Sequence, residues 1–133
     1  MQKTLLMLVT FGLLFSANSK NEPVLFPSTV ISSQGNKINV GKLTEASTVI
    51  IITIKSPFCP VCQAQLIRIR TQLNSFNKCN VTFLVLSPGA SKEVHQVKLN
   101  TEFPFPFIPD GDLSIAKALG LLLNPQQILP SII

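Results

Sequence analysis

The chain has 133 residues, 46% of them hydrophobic and 13% charged, with a formal net charge of +5. That length suits one domain with a modest core and is too short for two, and so apolar a composition argues against disorder. Its eleven basic residues are scattered, only Arg68 and Arg70 lie close together, and Trp and Tyr are absent, which argues against a nucleic-acid surface.

Met1-Gln2-Lys3, the apolar run Leu5 to Phe15 and the small residues Ala17 and Ser19 have the pattern of a secretory signal over residues 1–19, cut ahead of Lys20. An uncleaved anchor is the alternative, but the run is well short of the roughly 20 residues a spanning helix needs. No later segment is long and apolar enough to cross a bilayer. The expected mature domain is therefore 20–133, exported to the periplasm or beyond. Removing Lys3 leaves it a net charge of +4 (+5 − 1).

Val24-Leu25-Phe26 and Thr29-Val30-Ile31 are short β-prone runs broken by Pro27. Gln34-Gly35-Asn36-Lys37 reads as a turn, and Ile38 and Val40 alternate with polar residues as a half-buried strand would. Val49 to Ile54 is apolar on both faces, the pattern of a central strand covered on both sides. From Pro60 to Phe76 the apolar residues follow helical spacing, with Pro60 suited to the first helical position.

Val81 to Leu86 predicts a second buried strand, ended by Ser87-Pro88-Gly89. Ser91 predicts a helix cap, with Glu93 near the start of a helix running to about Leu99. The prolines of Phe103-Pro104-Phe105-Pro106-Phe107-Ile108 keep it extended, its phenylalanines lining one core face. Pro109-Asp110-Gly111-Asp112 is a turn, Leu113 to Leu119 a short helix, and Gly120 its stop. An apolar strand begins after Leu129-Pro130. The order of elements implies right-handed crossovers and an α/β sheet with helices on both faces.

The most telling feature is Cys59-Pro60-Val61-Cys62, placed between the first buried strand and the first long helix. That junction puts one thiol at a strand's mouth and the other in a helix's first turn. Unpaired N–H groups and the helix dipole there favour a thiolate. Spacing of three brings both sulfurs to one helix face. Pro60 and Val61 add no charge, so activation falls to the helix terminus and Lys55. A permanent structural disulfide is one alternative. A metal site is another, and would need Cys59, Cys62, Cys79 and His95 to converge at a spacing that matches no finger or ribbon. Cys79 reads as an idle or buried thiol and His95 as a solvated surface residue. Asn80-Val81-Thr82 matches a glycosylation acceptor but leads into a buried strand, which favours chance.

Four stretches carry a family resemblance: Ser56-Pro57-Phe58-Cys59-Pro60-Val61-Cys62 with Gln65-Leu66, Phe83 to Ser87, Phe105 to Asp112 leading into Ala116 to Gly120, and Leu129-Pro130-Ser131. Over residues 45–133 the chain resembles the thioredoxin-like superfamily, and within it the redoxin branch containing the alkyl hydroperoxide reductase/thiol-specific antioxidant proteins. The resemblance implies a thioredoxin-like fold, a central mixed sheet flanked by helices. It also implies Cys59 as the attacking thiol, Cys62 as the resolving one, and Pro130 as a cis-proline beside the pair. Leu129 would then offer backbone hydrogen bonds to a bound polypeptide.

Two departures stand out. The family continues past the cis-proline through a hairpin strand and a final helix, so the last strand is expected to have little to pair with and one sheet face to lack its helix. Family peroxidases place Pro seven and Thr/Ser three residues before their reactive cysteine; Ser56 fits the second position, but Ile52 occupies the first. No arginine near the end supplies the basic partner of such sites. The resulting expectation is an exported thiol–disulfide oxidoreductase acting on protein thiols and disulfides with a redox partner protein, using no metal or other cofactor. A peroxidase using Cys59, with antioxidant activity, is the first alternative. A non-catalytic binding module with a fixed disulfide is the second.

Overall fold

The computed structural model describes residues 26–125 and 127–133; the expected signal and the strand-prone Val24-Leu25 lie outside them. Strands β1 (Thr29–Ile31) and β2 (Lys37–Asn39) form an antiparallel hairpin across the anticipated turn. The chain then becomes helical, α1 (Val40–Ala46), where alternation predicted a strand through Val40. Asn39 decides the change: its Oδ1 accepts the Lys42 N–H at 2.9 Å, a side-chain cap that starts a helix.

The remaining elements are β3 (Thr48–Thr53), α2 (Pro60–Thr71), α3 (Leu73–Phe76), β4 (Val81–Ser87), α4 (Ser91–Thr101), β5 (Phe107–Pro109), α5 (Ser114–Ala118), β6 (Leu122–Asn124), β7 (Gln127–Ile128) and β8 (Ser131–Ile132). The helix expected over Pro60–Phe76 is interrupted at Gln72, whose N–H bonds to Ile69 O at 2.9 Å in a tighter turn. Thr71 Oγ1 donates to Arg68 O at 2.7 Å and further competes with helical pairing there. At the start of α4 the cap position is Ala90 rather than Ser91. Glu93 does the capping, with Oε2 accepting the Ala90 N–H at 3.1 Å.

The central sheet has the order β5-β4-β3-β8. Strands β3, β4 and β5 are parallel, and β8 runs antiparallel to β3. This is the mixed sheet of a thioredoxin-like fold. Alternation along β3 and β4 divides the core into two layers. Ile50, Ile52, Ile54, Phe83 and Val85 face α2 and α4, meeting Leu66, Val94 and Val97. Val49, Ile51, Leu84 and Leu86 face the other way, onto α1 and α5 through Leu43, Ala116 and Leu119. Each large side chain fully buried this way stabilises by roughly 1.5–3 kcal/mol. A one-residue slip would reverse both layers at once.

Two expectations are corrected by this topology. Both sheet faces carry helices, because α1 precedes β3 and covers the face thought to lack one. The last strand also has a partner: Ile52 stands opposite Ile132 and Thr53 opposite Ser131. The antiparallel pair β6–β7, with Leu129 N donating to Leu121 O at 2.7 Å, returns the chain to β3's edge.

From the end of α4 into β5, Phe103, Phe105 and Phe107 pack as core, with Phe103 and Phe107 fully buried. Phe83 lies within 6.0 Å of Phe103 and 5.0 Å of Phe105, ring centre to ring centre. Lys98 ties this segment to α4: its Nζ donates to Phe103 O at 2.9 Å and Phe105 O at 2.8 Å. It also sits 5.6 Å from the centre of the Phe107 ring. Burial pushes its ammonium below the usual lysine pKa.

Candidate functional site

Because β3 and β4 are parallel, the loops that follow them meet at one end of the sheet. Pro57, in the loop after β3, is buried against Gly89, in the loop after β4. Gly89 has φ +102, and a Cβ there would stand 2.8 Å from Pro57 Cγ and 2.9 Å from Glu93 Oε2. Only glycine fits so close an approach with that backbone. Cys59 N donates to Ser56 O at 3.3 Å, which turns the chain sharply into α2.

Pro60 takes the first helical position, where its missing N–H costs nothing. Cys59 is therefore the helix cap. Its Sγ accepts the Cys62 N–H at 3.3 Å, and its carbonyl accepts the Gln63 N–H at 3.1 Å. Cys59 and Cys62 are joined as a disulfide with Cα atoms 5.3 Å apart. The two sulfurs differ in access: Cys62 is 4% exposed and packs into the α2 layer of the core, whereas Cys59 is only half-buried. A thiolate at Cys59 would face the positive end of α2 and one of its unpaired N–H groups, both of which favour the anion. Lys55 is half-buried and has no ion pair among the described residues. Phe58, just before Cys59, and Val61, just before Cys62, are 73% and 77% exposed.

Leu129 and Pro130 are both exposed and come to the same end of β3. The expected cis-proline is corrected: no described peptide bond is cis, so Leu129–Pro130 is trans. Trans is the intrinsic preference of an X-Pro bond by about 0.5–1 kcal/mol. In that form the Leu129 carbonyl receives the hydroxyl of Thr53. Thr53 Oγ1 also accepts the Ser131 N–H at 2.7 Å and lies 2.9 Å from Ser131 Oγ. A hydroxyl has one proton and two lone pairs, so with its proton on Leu129 O, Ser131 Oγ is the donor of the third bond. This buried threonine anchors the segment after β7, and no sequence signal marked it.

The other candidates lie elsewhere. Cys79 is an exposed free thiol before β4, at the opposite end of the sheet from Cys59. The length of β3 puts the two about 20 Å apart. His95 differs from the solvated histidine expected. It sits on the flank of α4 beside buried Val94, half-buried, with Nδ1 shielded and unbonded among the described residues. Among the described residues no three His, Cys, Asp or Glu side chains gather as metal ligands. Arg70 Nη1 is held by Thr101 O and Glu102 Oε2, each at 2.8 Å, on the side of α2 that meets the end of α4.

Residues 24–132 match the AhpC/TSA family. A peroxiredoxin of Hyperthermus butylicus is 27% identical over 103 residues, covering 73% of this chain and 44% of that protein. A peroxiredoxin of Ignicoccus hospitalis is 34% identical over 79 residues, covering 55% of this chain and 34% of its own length. The chain thus spans less than half of these curated relatives. Among solved structures, PrxQ of Xylella fastidiosa aligns with a TM-score of 0.70 at 18% identity, over 84% of this chain and 72% of that one. A secreted Mycobacterium tuberculosis disulfide oxidoreductase homologous to E. coli DsbE aligns with a TM-score of 0.63 at 16% identity, over 85% of each chain. At these identities the structural likeness speaks to the fold.

Proposed function

Because the chain belongs to the AhpC/TSA family, we propose that it is an exported thiol–disulfide oxidoreductase acting on other proteins, with Cys59 as the attacking sulfur and Cys62 as the resolving one. The observation that carries this reading is the unequal access of the two sulfurs in one disulfide at a helix start. A partner thiolate attacks Cys59 Sγ, the S–S bond to Cys62 breaks, and Cys62 leaves as a thiolate that takes up a proton. A second partner thiolate then attacks its own sulfur in the mixed disulfide and expels Cys59. Two electrons pass from the partner dithiol to the Cys59–Cys62 pair. In reverse, Cys59 attacks a partner disulfide and Cys62 resolves the mixed disulfide. Leu129 and Pro130, exposed and anchored through Thr53, position the polypeptide.

A peroxidase is the second reading, favoured by the peroxiredoxin relatives. Cys59 would attack a peroxide oxygen and become a sulfenic acid, which Cys62 would condense with, releasing water. Against it, Ile52 is 2% exposed in the core where family peroxidases place proline. A binding module with a fixed disulfide is the third reading. Its potential would lie below about −300 mV, and an exchanging pair above that.

The test is reduction of a protein disulfide by the chain from Lys20 onward, with dithiothreitol as donor. Catalysis should vanish in Cys59→Ser. In Cys62→Ser a mixed disulfide through Cys59 should accumulate, visible as an added mass. A folded chain that turns over hydrogen peroxide but no protein disulfide would transfer the assignment to the peroxidase. Export is tested by sequencing the N-terminus of the protein recovered outside the cytoplasm, expected at Lys20.

A further inference from the structure

Between the start of α2 and the outer flank of α4 runs an open cleft of about 450 Å³. It begins at Phe58, the residue before Cys59, and has Pro57 and Val97 as its apolar part. The rest of its lining is polar. Gln63 donates through Nε2 to Pro57 O at 2.9 Å, and Gln96 donates to Asn100 Oδ1 at 2.9 Å. Gln63 Oε1, Gln96 Oε1 and Asn100 Nδ2 keep capacity for a visiting backbone, which offers both N–H and C=O groups.

Lys92 and Glu93 bring opposite charges to the same wall, but the two are not equivalent. Glu93 Oε2 accepts the Ala90 N–H at the start of α4, where the helix dipole offsets a carboxylate. Lys92 is exposed and has no ion-pair partner among the described residues. Lys92 is therefore the charge of this cleft left without an ion-pair partner among the described residues, on a chain whose expected mature form carries a net charge of +4 (+5 − 1). From Lys92 to Asn100 the α4 wall is about 12 Å long at 1.5 Å per helical residue. That matches three or four residues of extended chain at about 3.3 Å each.

We propose that this cleft seats an extended acidic segment of the polypeptide whose disulfide is exchanged at Cys59. A carboxylate pairs with Lys92, backbone groups meet the carboxamides, and an apolar side chain packs on Phe58. The inference rests on the thiol–disulfide reading and adds a substrate class to it.

Its test compares two synthetic peptides with the same internal disulfide, one flanked by four glutamates and one by four lysines. The wild type should turn over the glutamate-flanked peptide with the higher kcat/KM. Lys92→Glu should lower the ratio of the two kcat/KM values about tenfold. Lys117→Glu makes the same charge change on α5, across the sheet, and should leave the ratio unmoved. A ratio unmoved by Lys92→Glu, or moved equally by Lys117→Glu, overturns the proposal. Binding of a fluorescent, cysteine-free, glutamate-flanked peptide is read separately by anisotropy. Lys92-dependent binding without catalysis would keep the cleft and overturn the oxidoreductase reading. Catalysis without Lys92-dependent binding would do the opposite.

Discussion

Replacing Thr53 with valine keeps the β-branched shape and removes one hydroxyl from a residue that is 1% exposed. Its bonds go with it: to Leu129 O and, at 3.4 Å, to Ser131 O, from the Ser131 N–H and from Ser131 Oγ. Leu129 is exposed, so its carbonyl can turn to water at little cost, and the half-buried Ser131 hydroxyl can do the same. The Ser131 N–H, within the β3–β8 pairing, loses its 2.7 Å side-chain acceptor. A typical intramolecular hydrogen bond contributes a net ~0.5–1.5 kcal/mol. Summed over the bonds of this hydroxyl, Thr53→Val should lose about 2–3 kcal/mol. For a domain of this size that is a fall in Tm of about 10 °C. Thr53→Ser is the control, since it keeps the oxygen and loses one methyl, about 0.8 kcal/mol. Thermal unfolding followed by circular dichroism measures both. If serine destabilises as much as valine, the Thr53 hydroxyl is not what holds the end of the chain to β3.

Gly89→Ala should destabilise by about 1–3 kcal/mol, through its positive φ and the contact with Pro57 Cγ, and should also slow exchange at Cys59 because Pro57 must shift; urea unfolding and the dithiothreitol-driven assay read the two effects. Lys98 gives a pH dependence. Its folded pKa is depressed by burial, so above that pKa and up to the unfolded value near 10.5 the unfolded chain holds more protons, and stability rises with pH. The unfolding free energy of the wild type minus that of Lys98→Met should therefore increase as pH rises towards 10.5, whatever its sign at lower pH. A difference that decreases over that range in urea titrations would contradict the reasoning.

The central strands were legible because β3 and β4 are apolar on both faces, a pattern that only a sheet covered on both sides explains. The place of the Cys59–Cys62 pair was legible for a related reason: Pro60 marks a helix start, and the strand before it fixes where that start lies. Shorter elements were not. Helix α1 is seven residues long, and Ile38 and Val40 alternate as a strand would, so the signal rested on the single cap Asn39. The pairing of β6 with β7 closes around Pro125 without an Asn-Gly or Asp-Gly turn to announce it. The partner of β8 and the Thr53 anchor depend on contacts 78 residues apart in sequence, beyond any local pattern. The setting of His95 was hidden for another reason: its neighbours Lys92, Glu93 and Lys98 suggest a solvated face, whereas the folded chain half-buries it and shields its Nδ1.

The exposed Cys79, far from the disulfide, gives the protein a built-in counter of its own oxidation state. The sequence holds three cysteines, so an alkylating reagent applied to the native oxidised chain adds one label, and after reduction and denaturation three. The first label never depends on the redox couple, which makes it an internal standard for the other two. Mass spectra of samples poised at graded potentials would then report the fraction of open disulfide without a separate protein determination.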